Sequence, residues 1–140
     1  QDTLYMDYGI NNIVEDCYIE GDIDFIFGSA DVLFKNCKIH AVGEEKNVVY
    51  YTAPDTYVGN DNGLVFESCI FTKDKNVKAY LGRAWYPKKA LKEVLPRLTL
   101  LHCIYDEDVI CKLIQMHKGD KENAILKIEK EGKKSETKKG

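Results

Sequence analysis

Val14-Glu15-Asp16-Cys17-Tyr18-Ile19 is the first of four segments that share one short pattern. Each segment has an apolar residue, two mostly polar residues, a cysteine, a variable residue and an apolar residue. Recurring short strands of alternating character are typical of a solenoid, in which each repeat forms part of one coil. The other three segments are Phe34-Lys-Asn-Cys37-Lys-Ile, Phe66-Glu-Ser-Cys69-Ile-Phe and Leu100-Leu-His-Cys103-Ile-Tyr.

The residues between these repeats favour strands and not helices. They are rich in Val, Ile, Phe and Tyr, with Gly, Asn and Asp at the breaks, which is the composition of short strands joined by turns. The cysteines are 20, 32 and 34 residues apart, so some coils must contain inserted loops. Because the repeated unit is a single strand and not a hairpin, the pattern predicts an all-β fold of the parallel β-helix type.

The repeat also predicts the position of four cysteines. Cys17, Cys37, Cys69 and Cys103 are equivalent in successive coils, so we expect them to stack in one buried column of free thiols, which pack as small apolar groups. Disulfides or a metal site are the alternatives, although no Cys-x-x-Cys pair favours a metal. Cys111 falls outside the pattern and receives no assignment.

Length and charge limit the remaining possibilities. The chain has 140 residues and a net charge of −3, which suits one domain. Residues 118–140 contain 8 lysines and 5 acidic residues, so the preceding part is the more acidic one. An acidic body argues against a nucleic-acid partner, and no apolar run is long enough to span a membrane. We therefore expect one domain over residues 1–117 and a charged, partly disordered tail over residues 118–140.

Two aspartates are spaced to meet on neighbouring coils. Asp2 and Asp24 are 22 residues apart, close to the 20-residue coil between Cys17 and Cys37. Neighbouring strands lie about 4.8 Å apart, and strand alternation would send Phe25 and Phe27 into the core and Asp24 outwards. Two carboxylates this close can divide the roles of ionised nucleophile and protonated acid. The alternative is a pair of solvated aspartates in turns.

Three sequence blocks, taken together, resemble the signature blocks of pectin methylesterases, carbohydrate esterase family 8. Their order and approximate spacing match those of that family. Two linking segments, Thr52–Thr56 and Gly63–Phe66, are also similar to it. The resemblance is clear from Gln1 to about Trp85 and fades towards Asp108. The three blocks are Gln1-Asp2-Thr3-Leu4-Tyr5, Gly21-Asp22-Ile23-Asp24-Phe25-Ile26-Phe27-Gly28 and Tyr80-Leu81-Gly82-Arg83-Ala84-Trp85.

The resemblance implies a truncated, right-handed, single-stranded parallel β-helix and an aspartyl esterase site. Asp24 would be the nucleophile that forms an acyl-enzyme, and Asp2 would be the general acid and then the general base. Gln1 would stabilise the oxyanion, an electrostatic role of large effect in acyl transfer. Arg83 would orient Asp24, since a guanidinium binds a carboxylate through two parallel hydrogen bonds.

The resemblance also implies a substrate and a location. The substrate would be methyl-esterified homogalacturonan (pectin), bound by Trp85, Tyr5, Phe25 and Thr52. Neither a cofactor nor a metal is expected, and the enzyme would be a secreted monomer, extracellular or periplasmic, that binds no membrane. His40, His102 and His117 have no metal-ligand spacing, and the Gly28-Ser29-Ala30 stretch is not a serine nucleophile elbow.

The chain departs from the family pattern at several points: the early coils and a downstream Gly-Trp pair are not evident in it, and two further departures concern single residues. Ala84 stands where the family usually has proline, and the chain begins after the position of a second oxyanion glutamine. We therefore expect it to be incomplete at the N-terminus, with little or no turnover by itself. Two other functions remain open: an inactive truncated homologue that at most binds pectin, and a β-helix glycoside hydrolase, which would also use paired acidic residues.

Overall fold

The chain is built from short strands alone in the residues that the structure describes. It is a computed structural model and describes residues 4–5, 12–44, 47–90 and 92–129. These ranges contain no helix, and so none that is long and apolar enough to cross a membrane. In chain order the strands are β1 (Leu4–Tyr5), β2 (Asn12–Glu15), β3 (Tyr18–Gly21), β4 (Ile23–Gly28), β5 (Val32–Lys35), β6 (Lys38–Ala41), β7 (Val48–Pro54), β8 (Leu64–Glu67), β9 (Ile70–Lys73), β10 (Lys78–Ala84), β11 (Arg97–Leu101), β12 (Ile104–Tyr105), β13 (Ile110–Gln115) and β14 (Ile125–Glu129).

Each strand pairs in parallel with the strand three places further along the chain. Sheet A has the order β1-β4-β7-β10-β13, sheet B the order β2-β5-β8-β11-β14, and sheet C the order β3-β6-β9-β12. One strand from each sheet makes one coil, and successive coils stack through parallel ladders of hydrogen bonds. This arrangement confirms the predicted parallel β-helix.

The corner between sheets B and C has the same form in every coil that contains it. The chain turns there in two residues, of which the second is the repeated cysteine. The first has a left-handed backbone, which costs roughly 1–2 kcal/mol for most L-residues but less for Asn and Asp. Its N–H donates to the next coil, as from Asn36 to Glu67 O at 3.1 Å. The four residues in this conformation are Asp16 (φ 58°), Asn36 (φ 55°), Ser68 (φ 56°) and His102 (φ 55°).

The corner between sheets A and B varies in length. It spans residues 29–31, then 55–63, then 85–96, and finally 116–124, in four successive coils. The first and second of these segments are joined to each other, because the Asp31 carboxylate accepts the Gly63 N–H at 2.7 Å and Asn60 Nδ2 donates to Ser29 O at 3.1 Å. The inserted loops predicted from the unequal cysteine spacings therefore lie mainly beside sheet A.

The core is a set of columns in which equivalent residues of successive coils touch. In sheet B one column runs through Val14, Phe34, Phe66, Leu100 and Ile128. The Phe34 and Phe66 rings are fully buried and stacked, with centroids 4.5 Å apart and planes 9° apart. Such aromatic pairs contribute about 0.5–1.5 kcal/mol beyond the burial of their area. The apolar residue that opens each repeat therefore fills the core.

The cysteine column is confirmed for three of its four expected members. Cys37, Cys69 and Cys103 are buried free thiols, and the Cys69 sulfur lies 3.4 Å from Phe34 O while the Cys103 sulfur lies 3.3 Å from Phe66 O. The expectation was wrong for Cys17, which is exposed. Within the described residues β2 and β3 are the outermost strands of sheets B and C, so no strand covers Cys17 on that side.

The β-helix continues beyond the domain boundary expected after His117. Strand β14, Ile125–Glu129, pairs in parallel with β11 over its whole length. Leu126 and Ile128 pack against the core from this strand. The expected tail over residues 118–140 therefore includes a strand of the fold, and residues 130–140 lie outside the described residues.

Thiol labelling will test the cysteine positions. Cys17 and Cys111 are exposed, whereas Cys37, Cys69 and Cys103 are buried. Burial raises the pKa of the Cys37 thiol. The pKa of the Cys69 thiol is raised by its hydrogen bond with Cys103 and also by burial. We expect an aromatic disulfide reagent to label two thiols quickly in the native protein and all five in denaturant. Fast labelling of a third thiol under native conditions would contradict the column.

Substitution of Ser68 by Asn will test the left-handed corner. Ser68 is exposed and holds the same backbone conformation as Asn36 one coil away. Since Asn tolerates this conformation better, we expect the free energy of unfolding in urea to rise by about 0.5–1 kcal/mol. Ser68→Val is the opposite control and should lower it, because a β-branched residue is strained there. Equal stability of the two variants would show that the corner is not strained.

Candidate active site

The outer face of sheet A brings together the two charged residues that the sequence analysis singled out. Asp24 lies on β4 and Arg83 on β10, and β7 runs between these strands. Tyr50 of β7 packs against the Arg83 side chain, whose guanidinium carbon is 4.4 Å from the centre of the Tyr50 ring. Three successive coils therefore contribute to one site.

Asp24 occupies a bulge in β4. Between Ile23 and Ile26 the register with β7 shifts, so that Asp24 and Phe25 together stand opposite a single residue. Asp24 has a left-handed backbone, with φ of 50°, a conformation in which Asp is enriched among the non-glycine residues. Bulges frequently re-aim a side chain next to an active site. Here the bulge holds the carboxylate of a largely buried aspartate against Arg83.

The same bulge overturns the expected orientation of two aromatic residues. Simple alternation predicted that Phe25 and Phe27 would both fill the core. Phe25 does so, and its ring packs 5.9 Å from that of Tyr51. Phe27 is half-buried outside the core cluster and packs against Trp85. The extra residue in the bulge changes the phase of the alternation, which the sequence pattern alone does not show.

Arg83 grips Asp24 with two nitrogens. Arg83 Nη2 donates to Asp24 Oδ2 at 2.8 Å, and Nε donates to Oδ1 at 3.1 Å and to Oδ2 at 3.2 Å. Such paired, charge-assisted bonds are among the strongest hydrogen bonds in proteins and fix orientation as well as distance. Arg83 lies on β10, and its side chain reaches across β7 to Asp24.

The low exposure of this pair strengthens its electrostatics. The Asp24 and Arg83 side chains are 12% and 25% exposed, so water screens their attraction less than it would on an open surface. An opposite charge within hydrogen-bonding distance favours the ionised form of a carboxylate. The arrangement therefore fixes one carboxylate against one guanidinium on the outer face of the β-helix.

Two tyrosines extend the site along sheet A. Tyr50 and Tyr80 are directly paired in the register of β7 and β10, and their rings stack with centroids 5.4 Å apart and planes 22° apart. Lys78 places its ammonium group 5.6 Å from the centre of the Tyr80 ring. The sequence analysis missed Tyr50. Its position could have been found by aligning Val48-Val-Tyr50 with Lys78-Ala-Tyr80, the equivalent start of the next sheet A strand.

An aromatic pair lies on the other side of Arg83 along the chain. Trp85 follows Arg83 by two residues, and its backbone N–H donates to Pro54 O at 3.0 Å. Its ring and that of Phe27 are tilted by 56° with centroids 5.7 Å apart, and both side chains are half-buried. A partly open aromatic surface of this kind can pack against an apolar face of a ligand.

Two of the residues expected to bind substrate are buried instead. Phe25 is 0% exposed and Thr52 is 1% exposed, so neither has surface to offer a ligand, and these two expectations are corrected. The Thr52 hydroxyl donates to Leu81 O at 3.0 Å. Thr52 also lies against Gly82, where an added Cβ would stand 2.2 Å from the Thr52 hydroxyl oxygen and 2.8 Å from its carbonyl oxygen. Gly82 is therefore required for β10 to approach β7 immediately before Arg83.

Three other residues expected at the site lie wholly or partly outside the residues that the structure describes. Gln1 and Asp2 lie outside the described residues, and Tyr5 is described only by its backbone, in β1 opposite Phe27. Leu4 pairs with Ile26, a difference of 22 in residue number. The same difference separates Asp2 from Asp24. The roles expected for these three residues stay predictions.

A second polar cluster lies on sheet C. His40 Nε2 is 2.8 Å from Asp74 Oδ1, and His40 Nδ1 is 2.7 Å from Thr72 Oγ1. The hydrogen bond from His40, followed by that from the Gly43 N–H, lowers the pKa of the Asp74 carboxyl group. These contacts tie β6 to β9 and to the turn after it. Among the described residues no group of three or more His, Cys, Asp or Glu side chains could hold a metal ion.

Comparison with known proteins agrees with this arrangement. The family model described as Pectinesterase matches residues 1–98. Pectinesterase 1 of Olea europaea is 39% identical over 108 residues, which are 76% of this chain and 28% of that protein. Pectinesterase 31 of Arabidopsis thaliana is 39% identical over 89 residues, 62% of this chain and 26% of that protein. The chain thus spans about a quarter of the length of these curated relatives.

Solved structures of similar fold point to the same family. The pectin methylesterase from Yersinia enterocolitica matches with a TM-score of 0.74 and 27% identity, over 96% of this chain and 49% of that one. The pectin methylesterase from Aspergillus niger matches with a TM-score of 0.65 and 27% identity, over 96% of this chain and 43% of that one. The family model matches more than half of the chain, and the parallel coils agree with it. This chain therefore belongs to the pectinesterase family.

Proposed function

We propose that the outer face of sheet A hydrolyses methyl esters of homogalacturonan to pectate and methanol through an acyl-enzyme on Asp24. The observation that carries this proposal is the two-nitrogen grip of Arg83 on Asp24, a carboxylate set in a bulge and largely shielded from water. The pectinesterase relatives supply the reaction class by their names. Because the chain spans about a quarter of those relatives, the activity is a proposal for the protein that contains it.

Asp24 is suited to act as a nucleophile and not as an acid. A general acid must hold a proton at working pH, whereas the guanidinium of Arg83 favours the ionised carboxylate. One oxygen of Asp24 would attack the ester carbonyl carbon, and collapse of the tetrahedral intermediate would break the bond to methoxide. The product of this step is a mixed anhydride between Asp24 and the galacturonate carboxyl group.

The proton transfers need a second carboxyl group, which we assign to Asp2. It would donate its proton to the departing methoxide, which leaves as methanol, and would then take a proton from the water that hydrolyses the anhydride. Hydrolysis releases the galacturonate carboxylate and restores Asp24. The side-chain amide of Gln1 would donate to the oxyanion in both steps. The offset of 22 residues between Leu4 and Ile26 in the β1–β4 pairing supports this assignment.

The aromatic residues of sheet A suit a sugar chain. Trp85 and Phe27 form a partly open surface on one side of Arg83, and the Tyr50–Tyr80 stack extends along the strands on the other. Flat apolar faces of this kind can pack against pyranose rings, while Asp24 meets the substituent that reacts. Since homogalacturonan belongs to plant cell walls, the protein would act outside the cell, as a monomer and without a cofactor.

Replacing Asp24 by Asn in the full-length protein that contains this chain will test the nucleophile. The amide is nearly isosteric but cannot form the anhydride, so we expect methanol release from highly methylated pectin to fall by about 10³-fold or more. Asp61→Asn is the matched control, because Asp61 is exposed in the 55–63 segment and should leave the rate unchanged. Substantial methanol release by the Asp24→Asn variant would remove Asp24 from this role.

The same assay separates the two other functions. New reducing ends without methanol would identify a glycoside hydrolase. Binding of methyl-esterified oligogalacturonides without release of either product would identify an inactive homologue. Trp85 is the single tryptophan of the chain, so its fluorescence reports this binding directly.

Replacing Arg83 by Lys will test the role of the two-nitrogen grip. Lysine keeps the charge but offers a single ammonium group, which cannot hold both Asp24 oxygens in a fixed plane. We expect kcat/KM for methanol release to fall by about 10²-fold, the effect of a small misplacement of a reacting group. Arg97→Lys is the matched control at the other arginine of the chain, in β11 of sheet B. Equal effects of the two substitutions would contradict a special role for Arg83.

A further inference from the structure

We propose that Tyr50 is a positioning residue, whose ring supports the Arg83 guanidinium so that it can hold Asp24 across an intervening strand. This inference rests on the proposed function of Asp24 and deepens it. Tyr50 lies outside the three sequence blocks that resemble the family signature, and no role was expected for it from the sequence.

The geometry creates a need for such support. Asp24 and Arg83 lie on strands that are two places apart in sheet A, which is a separation of about 9.6 Å between their backbones. The Arg83 side chain must stay extended across β7 to reach Asp24. A free arginine side chain loses rotamer entropy when it is fixed in one conformation. A contact halfway along the crossing would limit the conformations that compete with the bridging one.

Tyr50 supplies that contact. The guanidinium carbon of Arg83 is 4.4 Å from the centre of the Tyr50 ring, well within the range of about 6 Å for attraction between a cation and an aromatic face. Arginine is suited to this contact because its planar group can stack on a ring while its edge still donates hydrogen bonds. In this structure Arg83 makes both contacts at once, with the ring of Tyr50 and with the oxygens of Asp24.

The ring is itself held in place. Tyr80 pairs directly with Tyr50 in the ladder and stacks on it at 5.4 Å. Tyr80 and Arg83 belong to the same strand, β10, so one strand contacts the Tyr50 ring through both its aromatic and its cationic side chain. A shift of β10 relative to β7 would disturb both contacts together.

A purely structural role would look different. The Phe34–Phe66 stack is such a case, since both rings are fully buried in the interior. Tyr50 and Tyr80 are half-buried on the outer face, where the core gains little from an aromatic ring. What distinguishes Tyr50 is its contact with the arginine that holds Asp24.

The experiment follows the Arg83 side chain and the reaction separately in three variants. Tyr50→Phe keeps the ring, Tyr50→Leu removes it, and Tyr57→Leu is a control at a half-buried tyrosine whose cationic neighbour is Lys92. In ¹⁵N-labelled protein, ring current should shift the Arg83 Nε–H resonance upfield, and its hydrogen bonds should slow its exchange with water. We expect both signatures in wild type, Tyr50→Phe and Tyr57→Leu, and their loss in Tyr50→Leu, with circular dichroism unchanged.

The second measurement separates kcat from KM for methanol release by the protein that contains this chain. Without the ring, Arg83 holds Asp24 less firmly, so the reacting oxygen is misplaced while the aromatic surface of Trp85 and Phe27 is unchanged. We expect kcat of Tyr50→Leu to fall by about 10-fold, with KM close to that of wild type. Tyr50→Phe should restore kcat.

The two measurements fail independently. If wild type and Tyr50→Leu show the same Arg83 resonance and exchange rate, the positioning role is wrong whatever the activity. If Tyr50→Phe behaves like Tyr50→Leu, the hydroxyl group and not the ring is what matters, and the proposal is again overturned. If neither wild type nor any variant of the full-length protein releases methanol while the Arg83 signals follow the ring, the positioning role is supported and the esterase function fails.

Discussion

The parallel ladder of backbone hydrogen bonds between successive coils is the constraint on which the rest of the structure depends. It places equivalent residues of neighbouring coils one strand spacing apart, about 4.8 Å. A feature that recurs at the same place in each coil therefore forms a column, whether it is an apolar side chain, a thiol or a left-handed corner. The same ladder brings residues that are 59 positions apart in the chain, Asp24 and Arg83, within hydrogen-bonding distance.

The candidate site depends on two local exceptions to this regular ladder. The bulge in β4 turns Asp24 into a left-handed conformation, and the β7–β10 approach requires glycine at position 82. Each exception lies next to one member of the ion pair. A strictly regular sheet would leave a flat surface, whereas these irregularities set one carboxylate against one guanidinium in a place that water reaches poorly. Left-handed backbone is costly for most side chains, so its presence at Asp24 agrees with a functional demand there.

Much of the fold could be predicted because the repeat is written directly in the sequence. The cysteine pattern marks the corner between sheets B and C, and the apolar residue three positions earlier marks the core. The exposure of Cys17 could not be read in the same way, because burial at one end of a stack depends on what lies beyond it. The inclusion of residues 125–129 in sheet B was also missed, since Ile125, Leu126 and Ile128 are set among charged residues.

The site was only partly predictable from the sequence. The residue types at positions 24 and 83 were found from motif context, and their separation by one intervening coil follows from the repeat. The outward side chain of Phe27 could not be foreseen, because a one-residue bulge reverses the side on which every later residue of a strand lies. Tyr50 was overlooked for a different reason. Its contact with Arg83 depends on a side chain from another coil that passes over its ring, and the local sequence does not show this.

The contrast between the two kinds of corner has an evolutionary consequence. The corner between sheets B and C has two residues in each coil, whereas the one between sheets A and B ranges from residues 29–31 to residues 85–96. The corner of variable length borders sheet A, on which a polysaccharide would lie under the proposed function, whereas the constant corner joins the other two sheets. A change in the length of the corner between sheets A and B would therefore alter the surface beside the site and leave the core columns unchanged. Under the proposed function, such changes would alter which stretches of the polymer are bound while the Asp24–Arg83 pair stays in place.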